Sequence, residues 1–194
     1  MGFVKGGGKV GLKVYTYSRP PIATCPGATE LCKSICYDLP YSARYPSVKL
    51  NRASNLGSSI PPIPNTAQKL RIHIGGDFDT VEYINNWHRE LSARPDVQAW
   101  AYTRSWAVPK LRRALERLRQ LPNLQLFASV DRTTKGDPPA GWRLAKLVND
   151  PPVSVERGSI LCPEQTGKRP DCESCGYCFT PREKTRHIIF LQHR

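Results

Sequence analysis

The stretch "KLRIHIGGDFDT" (residues 69–80) starts as a short, mostly apolar strand and breaks at Gly75-Gly76. A helical pattern follows over residues 79–94, with Asp79 as the expected N-cap and apolar residues near helical spacing. A strand, a glycine turn and a helix in this order form the first part of a βαβ unit, which joins parallel strands. We therefore expect an α/β fold built around this unit.

The same alternation of strand and helix continues on both sides of this stretch. Further strands are predicted at 10–17, 97–102, 124–130, 159–163 and 187–193, and further helices at 47–56, 109–121 and 140–148. Two architectures fit this rhythm, an open doubly wound sheet and a full or partial (β/α) barrel. We see no internal repeat and predict one domain over residues 1–194.

Chemically distinctive residues follow the predicted strands, at the point where each strand ends. Because the carboxyl ends of parallel strands meet at one edge, that edge is where α/β proteins build their active sites. The coincidence therefore predicts a ligand or active site here. In strand order the residues are Cys25, Cys32 and Cys36; Gly75-Gly76-Asp77; Thr103-Arg104-Ser105; Ser129 and Asp131; and Cys162.

Four cysteines near the C-terminus have the spacing of a complete metal site. They follow the pattern Cys-x9-Cys-x2-Cys-x2-Cys, which contains two CxxC steps. Four thiolates at this spacing can close a tetrahedral zinc site or hold an iron–sulfur cluster. We therefore predict a metal-stapled loop, with zinc and [4Fe–4S] both open, whose ligands are Cys162, Cys172, Cys175 and Cys178.

The other cysteines form a group of three, Cys25, Cys32 and Cys36. A cubane cluster held by three thiolates keeps one iron with an open coordination position, where a substrate or cofactor can bind. The alternative is an ordinary metal site completed by a fourth protein ligand, for which the candidates are His73, Asp38 and Asp77. Disulfides are disfavoured, because clustered cysteines in a reducing compartment indicate metal binding more often.

The turn after the second predicted strand has two interpretations. Gly75 and Gly76 allow a ligand to approach the backbone, and Asp77 can accept hydrogen bonds from an ammonium group; equally, the glycines can simply form a tight βα turn. After the third strand, Arg104 offers donors suited to a carboxylate or phosphate, or serves as a salt-bridge residue at the rim.

The composition indicates a basic, globular protein. Lys plus Arg number 29 against 16 for Asp plus Glu, a formal net charge of +13. This surplus favours a polyanionic partner, above all nucleic acid, and the densest basic cluster lies in the predicted helix 109–121. Apolar runs are too short to span a bilayer, and the N-terminus lacks the apolar segment of a secretory signal. We therefore expect a cytoplasmic protein without a membrane partner.

The three cysteines after the first strand and the Gly-Gly-acid turn after the second resemble the radical S-adenosylmethionine (radical SAM) superfamily. The resemblance implies a partial (β/α)6 barrel of the TIM type with parallel strands. It also implies a [4Fe–4S] cluster on Cys25, Cys32 and Cys36 whose open iron binds S-adenosylmethionine, and an auxiliary metal site at Cys162 to Cys178. With Tyr37, which follows the last cysteine of the first group, the implied cofactor-binding residues are Gly75, Gly76, Asp77, Arg104, Ser129, Asp131 and Tyr37.

The chain also resembles a group of small bacteriophage proteins. They share a Cys-rich N-terminal loop ending in Cys-Tyr, a Gly-Asp-Phe turn, a strand ending in Tyr-Thr-Arg-Ser and a C-terminal cysteine cluster. The likeness covers most of residues 20–190. The resemblance implies that the protein is located in the cytoplasm of the host cell.

The leading functional prediction is an iron–sulfur enzyme of the radical SAM type. It would take electrons from a reductant and act on an anionic substrate, for which a nucleic acid is one candidate. Two alternatives stay open. One is a non-enzymatic, basic nucleic-acid-binding protein with structural metal sites, and the other is a cluster-based redox or electron-transfer protein.

Overall fold

A computed structural model describes residues 2–151, 155–181 and 186–192, which are organised around an eight-stranded sheet. All neighbouring strands are parallel except the first pair, β1 and β2. The protein is therefore a mixed α/β protein with a mostly parallel sheet, as its βα rhythm predicts. The strands are β1 (Val4–Lys5), β2 (Val14–Tyr17), β3 (Lys69–Ile72), β4 (Gln98–Thr103), β5 (Leu124–Val130), β6 (Arg143–Val148), β7 (Ser159–Leu161) and β8 (His187–Leu191).

The order of the strands in the sheet separates the two predicted architectures. From β1 to β6 the strands lie side by side in chain order, and only β8 and β7 exchange places at the far edge. A doubly wound sheet instead reverses its order at a central switch point. The described strands therefore wind in one direction across most of the sheet, and the doubly wound alternative is wrong.

Six α-helices accompany the sheet in the described residues. Two of them, α4 and α5, are the predicted crossover helices, and α3 agrees with the predicted helix 47–56. Among the described residues, no helix has both the length and the apolar character needed to cross a membrane. The helices are α1 (Glu30–Ser34), α2 (Asp38–Arg44), α3 (Pro46–Ser54), α4 (Val81–Ser92), α5 (Pro109–Arg119) and α6 (Cys172–Cys175).

The start of α4 differs from its prediction by one residue. Thr80 is the N-cap, and its side chain accepts a hydrogen bond from the backbone N–H of Tyr83. Asp79, the predicted cap, instead pairs with the guanidinium of Arg19. A hydroxyl cap satisfies one of the N–H groups that the first helical turn leaves without a partner.

The predicted helix over residues 140–148 is wrong, because this segment contains strand β6. Its composition suits a helix, but β6 lies between β5 and β8 and is hydrogen-bonded to both. Ala145 and Leu144 pack on opposite faces of the sheet, as alternation in a strand requires. Pairing on both edges outweighs intrinsic helix propensity here.

Three predicted strands are shorter in the structure, and one of them is β7, which ends at Leu161 instead of residue 163. The first begins only at Val14, because the chain turns at Gly11, which has a φ of 109°. The last ends at Leu191, and residue 193 of its predicted range lies outside the described residues.

The two faces of the sheet are covered differently. One face packs against α4 and α5 in a core that includes Trp87, Leu111 and Leu115. The other face carries Trp100 and Phe127, which are covered by the cysteine-rich segment 162–180. Because successive residues of a strand point to opposite faces, β2, β4, β5 and β6 each contribute apolar residues to both faces.

Candidate metal centre

All seven cysteines of the chain line a single cavity of about 430 Å³. The cavity lies at the carboxyl edge of the parallel strands, between the loop that follows β2 and the segment that follows β7. Every cysteine is a free thiol. The two groups distinguished by spacing, Cys25 to Cys36 and Cys162 to Cys178, therefore belong to one site in space.

Most predicted cofactor-binding residues also line this cavity. They are Gly75, Gly76, Asp77, Arg104, Ser129 and Tyr37. The remaining one, Asp131, lies next to Arg104, with 2.9 Å between Asp131 Oδ2 and Arg104 Nη1. The convergence of chemistry at one sheet edge, which the order of strands and motifs predicted, is present in the structure.

The first cysteine loop is tied to the end of β5 by Thr29. The Thr29 hydroxyl accepts a hydrogen bond of 3.0 Å from the backbone N–H of Cys32 and thereby caps α1. The same hydroxyl donates to Asp131 Oδ2 at 2.7 Å. One side chain therefore positions both the helix that carries Cys32 and the loop that follows β5.

Close backbone contacts explain the glycines of this site. A Cβ atom on Gly27 would lie 2.1 Å from the carbonyl oxygen of Arg104, and one on Gly75 would lie 1.8 Å from the Asp38 carboxylate. Gly76 has a φ of 80°, and a Cβ there would lie 2.7 Å from Thr24 Oγ1. These glycines allow the first cysteine loop to pack directly on the sheet edge.

Arg104 connects the first cysteine group to this framework. Its side chain donates a hydrogen bond to the Cys32 thiol and forms the ion pair with Asp131. Burial raises the pKa of Cys32, and the positive charge of Arg104 opposes that shift. A guanidinium in this position stabilises negative charge on the sulfur.

Asp77 is buried, and its carboxylate is occupied by internal donors. Oδ1 accepts from the Thr103 hydroxyl at 2.6 Å and from the backbone N–H of Phe78 at 2.7 Å. Oδ2 accepts from the backbone N–H groups of Arg104, at 2.8 Å, and Ser105, at 3.2 Å. Two carboxylate oxygens offer about four acceptor positions, so Asp77 uses its capacity to shape the loop that follows β4.

The three candidates for a fourth protein ligand of the first cysteine group differ in what their polar atoms contact. Asp38 is ion-paired with Arg52, and Asp77 has the four hydrogen bonds above. His73 lines the cavity, and its Nε2 lies 2.9 Å from the Tyr83 hydroxyl. His73 Nδ1 is buried and has no hydrogen-bond partner among the described residues.

The second cysteine group is held in place by hydrogen bonds to the N-terminal segment and to strand β8. Asp171 caps α6 by accepting from the N–H of Ser174 at 2.7 Å, and the N–H of Cys172 donates to the carbonyl of Lys9 at 3.1 Å. The Tyr177 hydroxyl donates to the carbonyl of His187 in β8 at 3.0 Å. The loop is therefore fixed to the N-terminal segment and to the sheet.

Two residues of the cavity wall, Arg71 and Tyr102, were not among the predicted site residues. The guanidinium of Arg71 lies 4.5 Å from the centroid of the Tyr102 ring, and the Tyr102 hydroxyl is hydrogen-bonded to the Cys178 thiol. Strand alternation places Arg71 on the face opposite Leu70 and Ile72. An arginine between two buried apolar residues of a strand is the sequence signal that identifies it.

Burial raises the pKa values of the thiols most strongly at three positions. It raises the pKa of Cys25 to about 12, of Cys172 to about 11 and of Cys178 to about 12. Free thiols of this kind are protonated at neutral pH, which disfavours a role as nucleophile. A raised thiol pKa is compatible with metal binding, because a bound cation displaces the thiol proton.

The spacing of the thiols differs from that of a single-ion site. Within each group the thiols are near enough to shift one another's pKa. Across residues 2–151, 155–181 and 186–192, however, no three His, Cys, Asp or Glu side chains are close enough to hold one metal ion. A zinc ion at its usual bond length would bring two thiolates to about 3.8 Å from each other, whereas each ligand of a cubane binds a different iron.

Comparisons with known proteins place most of this chain in one set of relatives. The family model described as Gene product 88 matches residues 63–181. The chain is 26% identical over 208 residues to the Gene 88 protein of Mycobacterium phage L5, covering 86% of this chain and 81% of the relative. It is 24% identical to the Gene 88 protein of Mycobacterium phage D29, covering 82% and 80%. No solved structure matches the chain.

Proposed function

Because the chain belongs to the Gene product 88 family, with relatives in bacteriophages, we propose that this phage-type protein is an iron–sulfur enzyme of the radical SAM type. The observation that carries the proposal is the single cavity lined by all seven cysteines at the carboxyl edge of a parallel sheet. The matched region contains the Gly-Gly-Asp turn and the second cysteine group, while the first group precedes it.

The proposal includes a finer architecture, a partial (β/α)6 barrel. Six parallel strands support it, namely β2 to β6 and β8, of which the first five follow chain order. The helices α4 and α5 cover one face, and the cavity opens toward the other. In such a barrel the covered face is the outside and the cysteine-lined cavity is the inside.

Cys25, Cys32 and Cys36 are the proposed ligands of a [4Fe–4S] cluster. Three observations fit a cluster at this group. The residues are thiols, all three line the cavity, and Arg104 donates a hydrogen bond to the Cys32 thiol. When bound, such a cluster supplies single electrons and one iron with an open coordination position. S-adenosylmethionine is the proposed ligand of that position. Arg104 places a positive charge beside the Cys32 thiolate and the Asp131 carboxylate.

The protein's own residues have defined tasks in this proposal. Thr29 and Gly27 hold the first cysteine loop against the sheet edge, and Asp77 holds the backbone of Arg104 in place. Asp77 therefore positions the site, and its oxygens are already occupied by internal donors. Tyr102 and Phe190 contribute aromatic rings to the cavity wall, which in this proposal shield the bound cofactor from water.

The second group, Cys162 to Cys178, is the proposed site of a second metal centre, either [4Fe–4S] or zinc. Its loop covers the sheet face next to the same cavity. Arg71 and the Tyr102 hydroxyl lie beside Cys178 and would stabilise negative charge on its sulfur. Four thiolates with two CxxC steps suit either metal, and the metal analysis below distinguishes the two.

The test is anaerobic purification and reconstitution followed by iron, sulfide and zinc analysis. Two matched variants are compared with wild type: one replaces Cys25, Cys32 and Cys36 by alanine, and the other replaces Cys172, Cys175 and Cys178. We expect the first variant to lose about four irons and four sulfides and to retain the metal of the second group. The second variant shows the reverse and identifies the second metal.

Activity is tested separately from metal content. Reduced wild-type protein should cleave S-adenosylmethionine to 5′-deoxyadenosine, measured by chromatography, and the first triple variant should not. An unchanged iron content in the first variant would overturn the cluster assignment. A loaded cluster that neither binds S-adenosylmethionine nor forms 5′-deoxyadenosine would reduce the function to that of a redox protein.

A further inference from the structure

Three tyrosines lie between the rim of the cavity and α3: Tyr37 directly before α2, Tyr41 within it and Tyr45 directly after it. We call them the tyrosine stripe. They are four residues apart, which places them on one side of the helix. Their exposed fractions are 47%, 50% and 42%, unusually high for large aromatic residues. Tyr37 lines the cavity, and its hydroxyl donates to the carbonyl of Ile74 at 2.8 Å, which fixes the inner end of the stripe.

The two outer rings of the stripe are close to each other and to a basic group. The Tyr41 and Tyr45 ring centroids are 4.8 Å apart, and the guanidinium of Arg44 lies 5.7 Å from the Tyr45 centroid. Lys49 is exposed one helical turn further along the chain. Flat rings alternating with cations form a surface with both stacking and phosphate-binding capacity.

The carboxylates of this part of the chain are already neutralised. Glu30 is paired with Lys33 at 2.8 Å, and Asp38 is paired with Arg52. Within the described part of the chain, neither Arg44 nor Lys49 has a carboxylate at salt-bridge distance. The stripe is therefore positively charged on a protein whose formal net charge is +13.

The helix α5, which contains the densest basic cluster of the sequence, differs in this respect. Arg112 donates to the carbonyl of Trp106, Arg117 to Asn85 Oδ1, and Arg119 is paired with Glu116. Three of its arginine side chains are therefore already engaged with other groups of the protein. The helix also presents no exposed aromatic ring within residues 109–119.

We propose that the tyrosine stripe binds single-stranded nucleic acid and leads one nucleotide past Tyr37 into the cavity. Unpaired bases stack on the rings, while Arg44 and Lys49 contact phosphates. A duplex keeps its bases stacked internally and cannot use the rings. A second copy of this chain would bring a like charge to the stripe. The last step, entry into the cavity, rests on the proposed function, whereas binding to the stripe does not.

The test measures fluorescence anisotropy of labelled oligo(dT), oligo(U) and a duplex of equal length with the full-length protein. Tyr41→Leu should weaken single-strand binding about 5- to 100-fold, because one stacking platform is lost. Tyr41→Phe keeps the ring and should retain wild-type affinity. Arg113→Gln on α5, which removes one exposed charge elsewhere, is the matched control and should change affinity far less. The two single-stranded probes show whether DNA or RNA is preferred.

Two further measurements locate the strand. Arg44→Gln should reduce the slope of log K against log salt by about 0.7, the value for one phosphate contact on a single strand. An oligonucleotide carrying 5-iodouracil should crosslink to Tyr37 on irradiation. Absence of this crosslink in a bound complex would overturn the path into the cavity.

Several outcomes would overturn the stripe itself. These are equal binding of the duplex, unchanged binding by Tyr41→Leu, an Arg113→Gln effect as large as that of Tyr41→Leu, and competition by polyglutamate as effective as that by oligonucleotide. The failure of the proposed function looks different. In that case single strands bind to the stripe, but no 5′-deoxyadenosine is formed. If 5′-deoxyadenosine is formed but single strands do not bind, the proposed enzyme activity is supported and the nucleic-acid-binding stripe is wrong.

Discussion

Buried polar residues at the carboxyl ends of β3 and β4 hold the geometry of the cysteine-lined cavity. Asp77 receives three hydrogen bonds from residues 103–105 and one from the backbone N–H of Phe78, and His73 is hydrogen-bonded to Tyr83. Sequence reasoning recognised Asp77 as an acceptor but assigned its oxygens to a ligand. Three of the four donors that occupy them come from residues 103–105, more than 25 positions away.

His73 makes stability depend on pH. Burial, followed by the charges of Arg19 and Arg71, lowers the pKa of His73 well below its usual value. In the unfolded chain a histidine titrates near about 6.5. The contribution of neutral His73 is therefore fully present above that pH, and it is lost as pH falls below it, since only the unfolded chain takes up the proton.

The change that tests this is His73→Asn, which removes the titrating ring and tolerates the φ of 63° at this position. Urea unfolding at several pH values between 5 and 8 gives the free energy of unfolding. Wild type should lose up to about 1.4 kcal/mol more per pH unit below pH 6.5 than the variant. Asp38, whose pKa burial raises to about 6, acts in the opposite direction in both proteins, so the difference between them is the measure. His88→Asn serves as the control, and equal slopes for wild type and His73→Asn would contradict the prediction.

At the scale of elements, the first cysteine loop is a separate layer placed on the edge of the sheet. It carries α1 and α2, has no counterpart in the βα rhythm, and depends on Gly27 and Gly75 for its close contact with the sheet edge. Its position decides whether Cys25, Cys32 and Cys36 face the second cysteine group.

Gly27→Ala should displace this loop. The new methyl group would meet the backbone carbonyl of Arg104, which cannot rotate away, and overpacking of this kind costs about 1–3 kcal/mol. We expect a lower free energy of unfolding, faster reaction of the metal-free thiols with a thiol reagent, and reduced iron content after reconstitution. Gly8→Ala is the matched control, since no atom lies within 4 Å of its added Cβ. Thiol reaction at the wild-type rate in Gly27→Ala would show that the contact does not position the loop.

At the scale of the whole molecule, segments from both ends of the chain meet in one cavity. The second cysteine group contacts the N-terminal segment through Lys9 and the sheet through β8. Metal bound at either group would link elements that are far apart in the chain. Folding and metal loading should therefore be coupled.

Anaerobic reconstitution should raise the midpoint of thermal unfolding, and removal of metal by a chelator should reverse the gain. A ligand that binds only the folded state stabilises by about 2.7 kcal/mol at a concentration 100-fold above its Kd. Each triple alanine variant of the cysteine groups should lose part of this stabilisation and keep the rest. The same midpoint with and without metal would contradict the coupling.

Much of the fold could be predicted because it depends on local patterns. The amphipathic helices α4 and α5 and the strands β3, β4 and β5 have clear periodicity and turn residues at their ends. Strand β6 escaped prediction because its leucine, alanine and lysine content suits a helix, and only pairing with β5 and β8 makes it a strand. Arg71 escaped because its role depends on Tyr102, on the neighbouring strand.

The sequence by itself determined the α/β class, the two cysteine groups and the gathering of distinctive residues at strand ends. Each of these follows from spacing along the chain. Only the tertiary structure decided that all seven cysteines share one cavity, that Asp77 is occupied by internal donors, and that the tyrosine stripe leads to the cavity rim. These features depend on contacts between residues far apart in sequence, and such contacts exist only once the strands have paired and the loops have packed on their edge.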